Sequence, residues 1–179
     1  LEEKISRINS LGNDDCFSFI VITDCHYPRN MGKLSPCLAK EIAGRTNVGY
    51  VLCLGDVQTS GCYETKEEIL EENRLIDEFL APVRDRLLIV EGNHDGSYQW
   101  QDVDLTANPP VRRAYVNSLT PDELYEEIYS KISVDGISFD KGGSHGYYVD
   151  DNNDKVRFIM LNTHNCKYEL NEDGTSNTP

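Results

Sequence analysis

The sequence has no apolar run long enough to cross a membrane, and it has few basic residues. Its longest apolar stretches, FSFIVI at 17–22 and RFIML at 157–161, have the length of β-strands, whereas a membrane helix needs roughly 18 or more apolar residues. The net charge of -14 excludes broad binding to a nucleic-acid backbone, which depends on clustered Lys and Arg. Bound divalent cations would reverse the charge locally, so an acidic chain can still take an anionic substrate.

The cysteines do not form a Cys-x-x-Cys pair anywhere in the chain. Small secreted domains that depend on disulfides are shorter than this chain of 179 residues and richer in cysteine. The sequence therefore predicts reduced thiols, used mainly for packing, in a cytoplasmic protein.

Strand and helix patterns alternate along the first half of the chain. Apolar runs predict buried strands at residues 16–23, 48–56 and 85–93, and amphipathic patterns predict helices at 33–44 and 64–80. This order predicts an α/β fold with a parallel sheet covered by helices. A Gly-rich phosphate loop is missing after the first strand, where DCHYPRN stands, so the order does not indicate a doubly wound nucleotide-binding domain.

The second half of the chain has two clear patterns. Thr120, Pro121 and Glu123 have the spacing of a capping box, which predicts a helix over 120–132. Residues 145–163 predict a hairpin whose two strands are joined by an Asp/Asn turn.

Polar side chains follow each of the three predicted parallel strands. Asp24 and His26 follow the first strand, Asp56 follows the second, and the sequence GNHD at 92–95 follows the third. Open parallel sheets bind ligands at the carboxyl ends of their strands, so these side chains are expected to converge. Each motif taken alone is equally typical of an ordinary turn with an exposed polar side chain. Their joint occurrence at three strand ends favours a functional site.

These motifs resemble those of the calcineurin-like metallophosphoesterase superfamily, whose pattern is D-x-H, then G-D, then G-N-H-D/E. Asp24-Cys25-His26, Gly55-Asp56 and Gly92-Asn93-His94-Asp95 match it. The resemblance implies an α/β/β/α sandwich, of which this chain holds the first sheet and the beginning of the second. It also implies a single metallophosphoesterase domain over residues 1–179, with an insertion or cap-like segment at 97–131.

The resemblance implies a site for two divalent metal ions. Asp24 and His26 would bind the first ion, Asp56 would bridge both ions, and Asn93 would bind the second through its amide oxygen. Mixed oxygen and nitrogen ligands without a thiolate suit Mn, Fe or Zn better than Ca.

The resemblance also implies the catalytic residues and the reaction. His94 would donate to a phosphate oxygen or to the leaving group, and Asp95 would orient His94. The reaction would be hydrolysis of a phosphate mono- or diester by a hydroxide that two metal ions activate.

The later motifs of the superfamily, a lone His and a G-H-x-H, are absent from the sequence. The remaining histidines, His145 and His164, are interpreted as ordinary polar residues near strand ends. We therefore expect a domain that is incomplete at its C-terminus, with weak binding of the second ion. The alternative is a non-catalytic or weakly active binding module that keeps a partial metal site.

Three arginines are weaker candidates for binding the phosphate of the substrate. Arg29 follows the first motif, and Arg112 and Arg113 follow the third. Arg can clamp a phosphate with two hydrogen bonds, but ion pairs with neighbouring surface acids explain these residues equally well.

Overall fold

The computed structural model describes residues 1–12, 16–27, 34–58, 65–96, 103–104, 106, 108, 111–112, 119–140 and 145–163. The helices of this part of the chain are α1 (Glu2–Leu11), α2 (Leu34–Arg45), α3 (Lys66–Leu80) and α4 (Pro121–Glu127). The strands are β1 (Phe19–Ile22), β2 (Tyr50–Cys53), β3 (Leu87–Ile89), β4 (Val103–Asp104), β5 (Val111–Arg112), β6 (Ile137–Phe139), β7 (Tyr147–Asp151) and β8 (Val156–Met160).

The first sheet is parallel, as the strand and helix pattern predicts, and the structure gives its strand order as β1-β2-β3. Its register places Val21 beside Leu52 and Leu52 beside Leu88. All residues of β2 and β3 are buried, which is why their sequences read as continuous apolar runs. The strands are shorter than the apolar runs predict, because the chain turns out of the sheet within two or three residues of Ile22, Cys53 and Ile89.

Helix α3 connects β2 to β3 and follows its sequence closely. Thr65 caps its N-terminus in a capping box with Glu68. Its buried face consists of Ile69, Asn73, Ile76 and Leu80. The helix ends where Pro82 enters a 3-10 turn, Ala81–Arg86, that leads directly into β3.

The second sheet is antiparallel, in the order β6-β7-β8. The predicted hairpin is present as β7 and β8, joined by the Asp/Asn turn. Strand β6 was not predicted, since its three residues, Ile-Ser-Phe, are too few for an alternating pattern to be recognised. Helix α4 begins at the predicted cap, Thr120, but is shorter than predicted because the chain tightens into a 3-10 turn at Tyr129–Lys131.

Aromatic residues join the two sheets. The ring of Phe158 on β8 lies with its centroid 4.9 Å from that of Tyr50 and 5.7 Å from that of Phe17. The Tyr50 hydroxyl donates to Asp151 Oδ2 at 2.9 Å. The predicted class, a mixed α/β fold with a parallel first sheet and a second sheet, is confirmed.

Residues 96 and 119, on either side of the segment that follows the third motif, are hydrogen-bonded to each other. Leu119 N donates to Gly96 O at 3.1 Å, so the chain returns at residue 119 to where it departed at residue 96. Most of residues 97–118 lie outside the described residues, whereas 119–131 contain α4 and the 3-10 turn after it; the predicted insertion or cap-like segment at 97–131 stays a prediction. Among the helices that the structure describes, none has the length and apolar character of a membrane span.

Candidate metal centre

The loops that follow β1 and β2 are bonded to each other beyond the ends of the strands. Asp24 N donates to Gly55 O at 3.1 Å, His26 N to Asp56 O at 3.0 Å, and Tyr27 N to Val57 O at 2.8 Å. This ladder of backbone hydrogen bonds places the D-x-H motif beside the G-D motif. The convergence predicted from parallel pairing is therefore present at this edge of the sheet.

Three of the motif residues have an unfavourable backbone conformation. The φ angles of Asp24, His26 and Asp56 are 52°, 48° and 51°, in the left-handed region that residues other than glycine seldom occupy. Each costs on the order of 1 kcal/mol or more, and such strain concentrates at binding and catalytic sites. The backbone hydrogen bonds of the two loops hold these angles in place.

Two glycines let the loops after β2 and β3 meet backbone to backbone. Gly55 has a φ of 91°, and a Cβ atom there would lie 2.7 Å from the Cα of Gly92. A Cβ atom on Gly92 would in turn lie 2.5 Å from Asp56 N. Both distances are shorter than real Cβ contacts, so this approach requires glycine on each side.

The carboxylate of Asp95 ties these same loops together from inside. One oxygen accepts hydrogen bonds from Val57 N (2.9 Å) and Gln58 N (3.3 Å). The other accepts from Asp56 N (2.9 Å) and Gly92 N (2.7 Å).

The side chain of Asp95 is buried, and this burial raises the pKa of the carboxyl to about 6 while the backbone donors oppose the rise. Asp95 thus fixes the positions of its neighbours. Its expected role, orienting His94, stays a prediction.

His26, Asp56 and His94 form the group of described side chains best arranged to hold a metal ion. Each offers one ligand atom, and these atoms all lie within 4.8 Å of one another. The rings of His26 and His94 meet edge to face, with centroids 4.7 Å apart and planes at 82°. His94 N donates to Asp56 Oδ1 at 2.8 Å, which joins the third motif to the second.

Asp24 lies at the outer side of this group. Its Oδ1 is 3.8 Å from His26 Nε2, and its Oδ2 accepts a hydrogen bond from Thr23 Oγ1 at 2.7 Å. The side chain of Asp24 is 62% exposed, so it can be reached from solvent. Asn93 occupies the same turn as His94 and is half-buried.

The donor set fits a divalent metal ion. Its members are imidazole nitrogens and carboxylate oxygens, which suit Mn, Fe and Zn. Cys25 lies between two of the predicted ligands, but its side chain is buried. Burial, together with the nearby charges of Asp95 and Asp24, raises the pKa of its thiol to about 11. Because only a thiolate binds metal strongly, Cys25 serves packing.

The predicted phosphate-binding arginines have not been tested by the structure. Arg29 and Arg113 lie outside the described residues. The backbone of Arg112 belongs to β5, and its side chain is not among those described. All three therefore stay predictions.

Sequence reasoning missed Glu91, which precedes the GNHD motif. Its side chain is only 5% exposed, its Oε1 accepts from Asn162 Nδ2 at 2.5 Å, and its N–H donates to the Tyr129 hydroxyl at 3.0 Å. Burial raises the pKa of its carboxyl to about 7. The available signal was a charged residue that ends the apolar run LLIV. Through its hydrogen bond with Asn162, which follows β8, Glu91 connects the loop after β3 to the second sheet.

His145 is separate from the candidate metal group. It has a φ of 56°, and its ring centroid lies 5.0 Å from that of Tyr129. Burial lowers the pKa of its imidazole, against a smaller opposing effect of Asp122. His164 lies outside the described residues.

Comparison with known proteins connects this geometry to one family. The family model of the calcineurin-like phosphoesterases matches residues 17–178, which is all but the ends of the chain. No curated protein and no solved structure matched the chain. The family match begins just before β1 and includes all three motif-bearing strand ends and the second sheet. The chain therefore belongs to the calcineurin-like phosphoesterase family.

Proposed function

We propose that this protein hydrolyses a phosphate mono- or diester with the help of two divalent metal ions bound at the carboxyl edge of the first sheet. The observation that carries the proposal is the group of His26, Asp56 and His94, whose ligand atoms lie within 4.8 Å of one another. Membership of a phosphoesterase family supports hydrolysis of a phosphoester as the reaction class. The fold by itself does not choose among substrates, because this architecture supports several of them.

Four side chains would hold the ions. Asp24 and His26 would bind one ion, Asn93 would bind the other, and the carboxylate of Asp56 would bind both. The short distance from Asp24 Oδ1 to His26 Nε2, 3.8 Å, is compatible with two ligands of one ion. Bound ions of this kind polarise a phosphoryl group and bring the pKa of water from about 15.7 to near 7.

His94 would act on the substrate itself. His94 is half-buried, and its ring lies against the ring of His26. In this position it would donate a hydrogen bond to a phosphate oxygen or a proton to the leaving oxygen. The turn that carries it is held by Asp95 and by the His94 N–H bond to Asp56.

The test combines metal content with turnover. Purified protein is freed of metal, reloaded with Mn, Fe or Zn, and assayed with p-nitrophenyl phosphate and bis-p-nitrophenyl phosphate. We expect metal-dependent hydrolysis of at least one substrate, and its loss in Asp56→Asn. The same rates in wild type and Asp56→Asn would overturn the proposal.

A second candidate function is a binding module with a partial metal site. It is favoured by one observation, the absence of a G-H-x-H motif from the sequence. In the same experiment this function predicts metal bound to the wild-type protein without hydrolysis of either substrate.

A further inference from the structure

We infer that His94 is a ligand of the first metal ion when only one ion is bound, together with His26 and Asp56. This inference rests on the proposed function, because it concerns how the same site fills. In the one-ion state His94 would bind the metal and could not donate to the substrate. The protein with one ion would therefore not hydrolyse the substrate.

The distances between the three side chains carry this inference. Nitrogen and oxygen ligands lie about 2.0 to 2.2 Å from ions such as Zn²⁺, so two ligands of one ion are at most about 4.4 Å apart. The ligand atoms of His26, Asp56 and His94 all lie within 4.8 Å of one another. Small rotations of the side chains are therefore enough to direct all three at one point.

The backbone holds His94 in this position. Its N–H donates to Asp56 Oδ1 at 2.8 Å, so its main chain is bonded to another member of the group. The preceding loop is fixed at Gly92, whose N–H donates to Asp95 Oδ2 at 2.7 Å. The main chain of His94 is therefore fixed beside the group, and its imidazole lies against that of His26, with ring centroids 4.7 Å apart.

Asp24 has a different position from His94. It lies outside the group of three, its side chain is 62% exposed, and its Oδ2 accepts from Thr23 Oγ1. Asp24 Oδ1 already lies 3.8 Å from His26 Nε2, but Asp24 is not part of the group of three, so its carboxylate has to shift towards Asp56 to complete the ligand set that the D-x-H motif implies. We expect this exchange, Asp24 for His94, when the second ion binds.

The exchange has a consequence for catalysis. An imidazole nitrogen that ligates a metal ion has no lone pair or proton left at that atom for the substrate. Activity should therefore rise with the second equivalent of metal rather than the first. The family motif alone, with Asp24 and His26 on the first ion, predicts no contribution of His94 to metal affinity.

The first experiment measures affinity for one equivalent of Zn²⁺ by competition with a chromophoric chelator. Wild type is compared with His94→Asn and, as a matched control, with His145→Asn. His145 lies apart from the group, and Asn tolerates its left-handed backbone. We expect the affinity to fall at least tenfold in His94→Asn and to change less than twofold in His145→Asn. A loss smaller than tenfold in His94→Asn would overturn the inference.

The second experiment uses the wild-type protein, so a folding defect of a variant cannot affect it. The imidazole ¹⁵N resonances are recorded with and without one equivalent of Zn²⁺. We expect the ring nitrogens of His26 and His94 to shift together while those of His145 stay in place. A shift of His26 without His94 would overturn the inference. Hydrolysis of the p-nitrophenyl substrates is measured separately, so failure of the proposed function is recognised independently of this result.

Discussion

The hydroxyl of Tyr147 forms hydrogen bonds with both backbone polar groups of Ile89. It accepts from Ile89 N at 2.8 Å and donates to Ile89 O at 2.8 Å. Ile89 ends β3, which lies at one edge of the first sheet in the described part of the chain, and Val90 N beyond it donates to Cys53 O of β2. A side chain of the second sheet thus occupies the place of a neighbouring strand.

Removing this hydroxyl should destabilise the protein. In Tyr147→Phe the N–H and C=O of Ile89 lose their partner in a buried place, and an unsatisfied buried polar group costs about 1–3 kcal/mol. Urea unfolding should show a decrease of that size in the free energy of unfolding. Tyr148→Phe, at the exposed neighbouring position, is the matched control and should change it by less than about 0.5 kcal/mol. Equal effects of the two substitutions would contradict this account of the β3 edge.

A methyl group at Gly92 should disrupt the metal centre. In Gly92→Ala the new Cβ would lie 2.5 Å from Asp56 N and in contact with the Asp56 carboxylate, so this ligand must move. We expect metal affinity to fall at least about tenfold, as when other residues that position ligands are changed. Competition with a chelator measures it.

Gly44→Ala is the control for the glycine substitution. Gly44 lies within α2, and a Cβ atom there would have nothing within 4 Å. The free energy of unfolding should stay the same or rise by about 0.5–1 kcal/mol, since Ala favours helix. Metal affinity should be unchanged. A similar loss of affinity in both variants would show that the contact between Gly92 and Asp56 is not the cause.

Replacing the Asp95 carboxylate by an amide should loosen the loops. Asp95→Asn keeps one acceptor oxygen, while its NH₂ group faces backbone N–H groups that were hydrogen-bonded. We expect the free energy of unfolding of the metal-free protein to fall by at least about 2 kcal/mol. Asp85→Asn, at an exposed position, should change it by less than about 0.5 kcal/mol. If Asp95→Asn lost only turnover and kept full stability, Asp95 would act mainly through His94.

The stability of the protein should depend on pH through His145. Burial lowers the pKa of its imidazole, so between that pKa and the unfolded value near 6.5 the unfolded chain binds more protons. Stability is therefore lost as the pH falls through this window. Glu91 and Asp95, whose carboxyl pKa values are raised, act in the opposite direction in every variant.

The comparison of wild type with His145→Asn isolates this effect. Urea unfolding of the metal-free proteins is measured between pH 7.5 and pH 5. As the pH falls, wild type should lose more stability than His145→Asn, because only wild type takes up the proton. A constant difference between the two proteins across this range would be incompatible with a lowered pKa at His145.

The first sheet could be predicted from the sequence because each of its elements carries a local signal. The buried runs around Val51 and Leu88 contain no polar residue, and Thr65 with Glu68 marks the start of α3. Strand β6 could not be predicted, because its three residues are too few to show a periodicity and its position is set by pairing with β7. Boundaries were set by tertiary bonds such as Leu54 N to Ile22 O, which no local pattern contains.

The sequence predicts which ligands come together at the site, but not the hydrogen bonds that hold the surrounding loops in place. Parallel pairing predicts that His26, Asp56 and His94 converge, and their ligand atoms lie close together. The sequence does not show that Asp95 faces backbone N–H groups, because an Asp beside a His reads equally well as a partner of that His. Glu91 was missed because its partner, Asn162, is distant along the chain.

The contact between Gly55 and Gly92 and the bonds of the Asp95 carboxylate involve no atom of the His26 or His94 rings. In this chain the residues that fix the backbone of the loops are therefore different from the histidines that would bind metal. A related protein could have a carboxylate in place of one of these imidazoles. Its metal preference would then change while the loops stayed in the same positions. A relative that loses either glycine would keep every ligand in its sequence but would hold them in displaced positions.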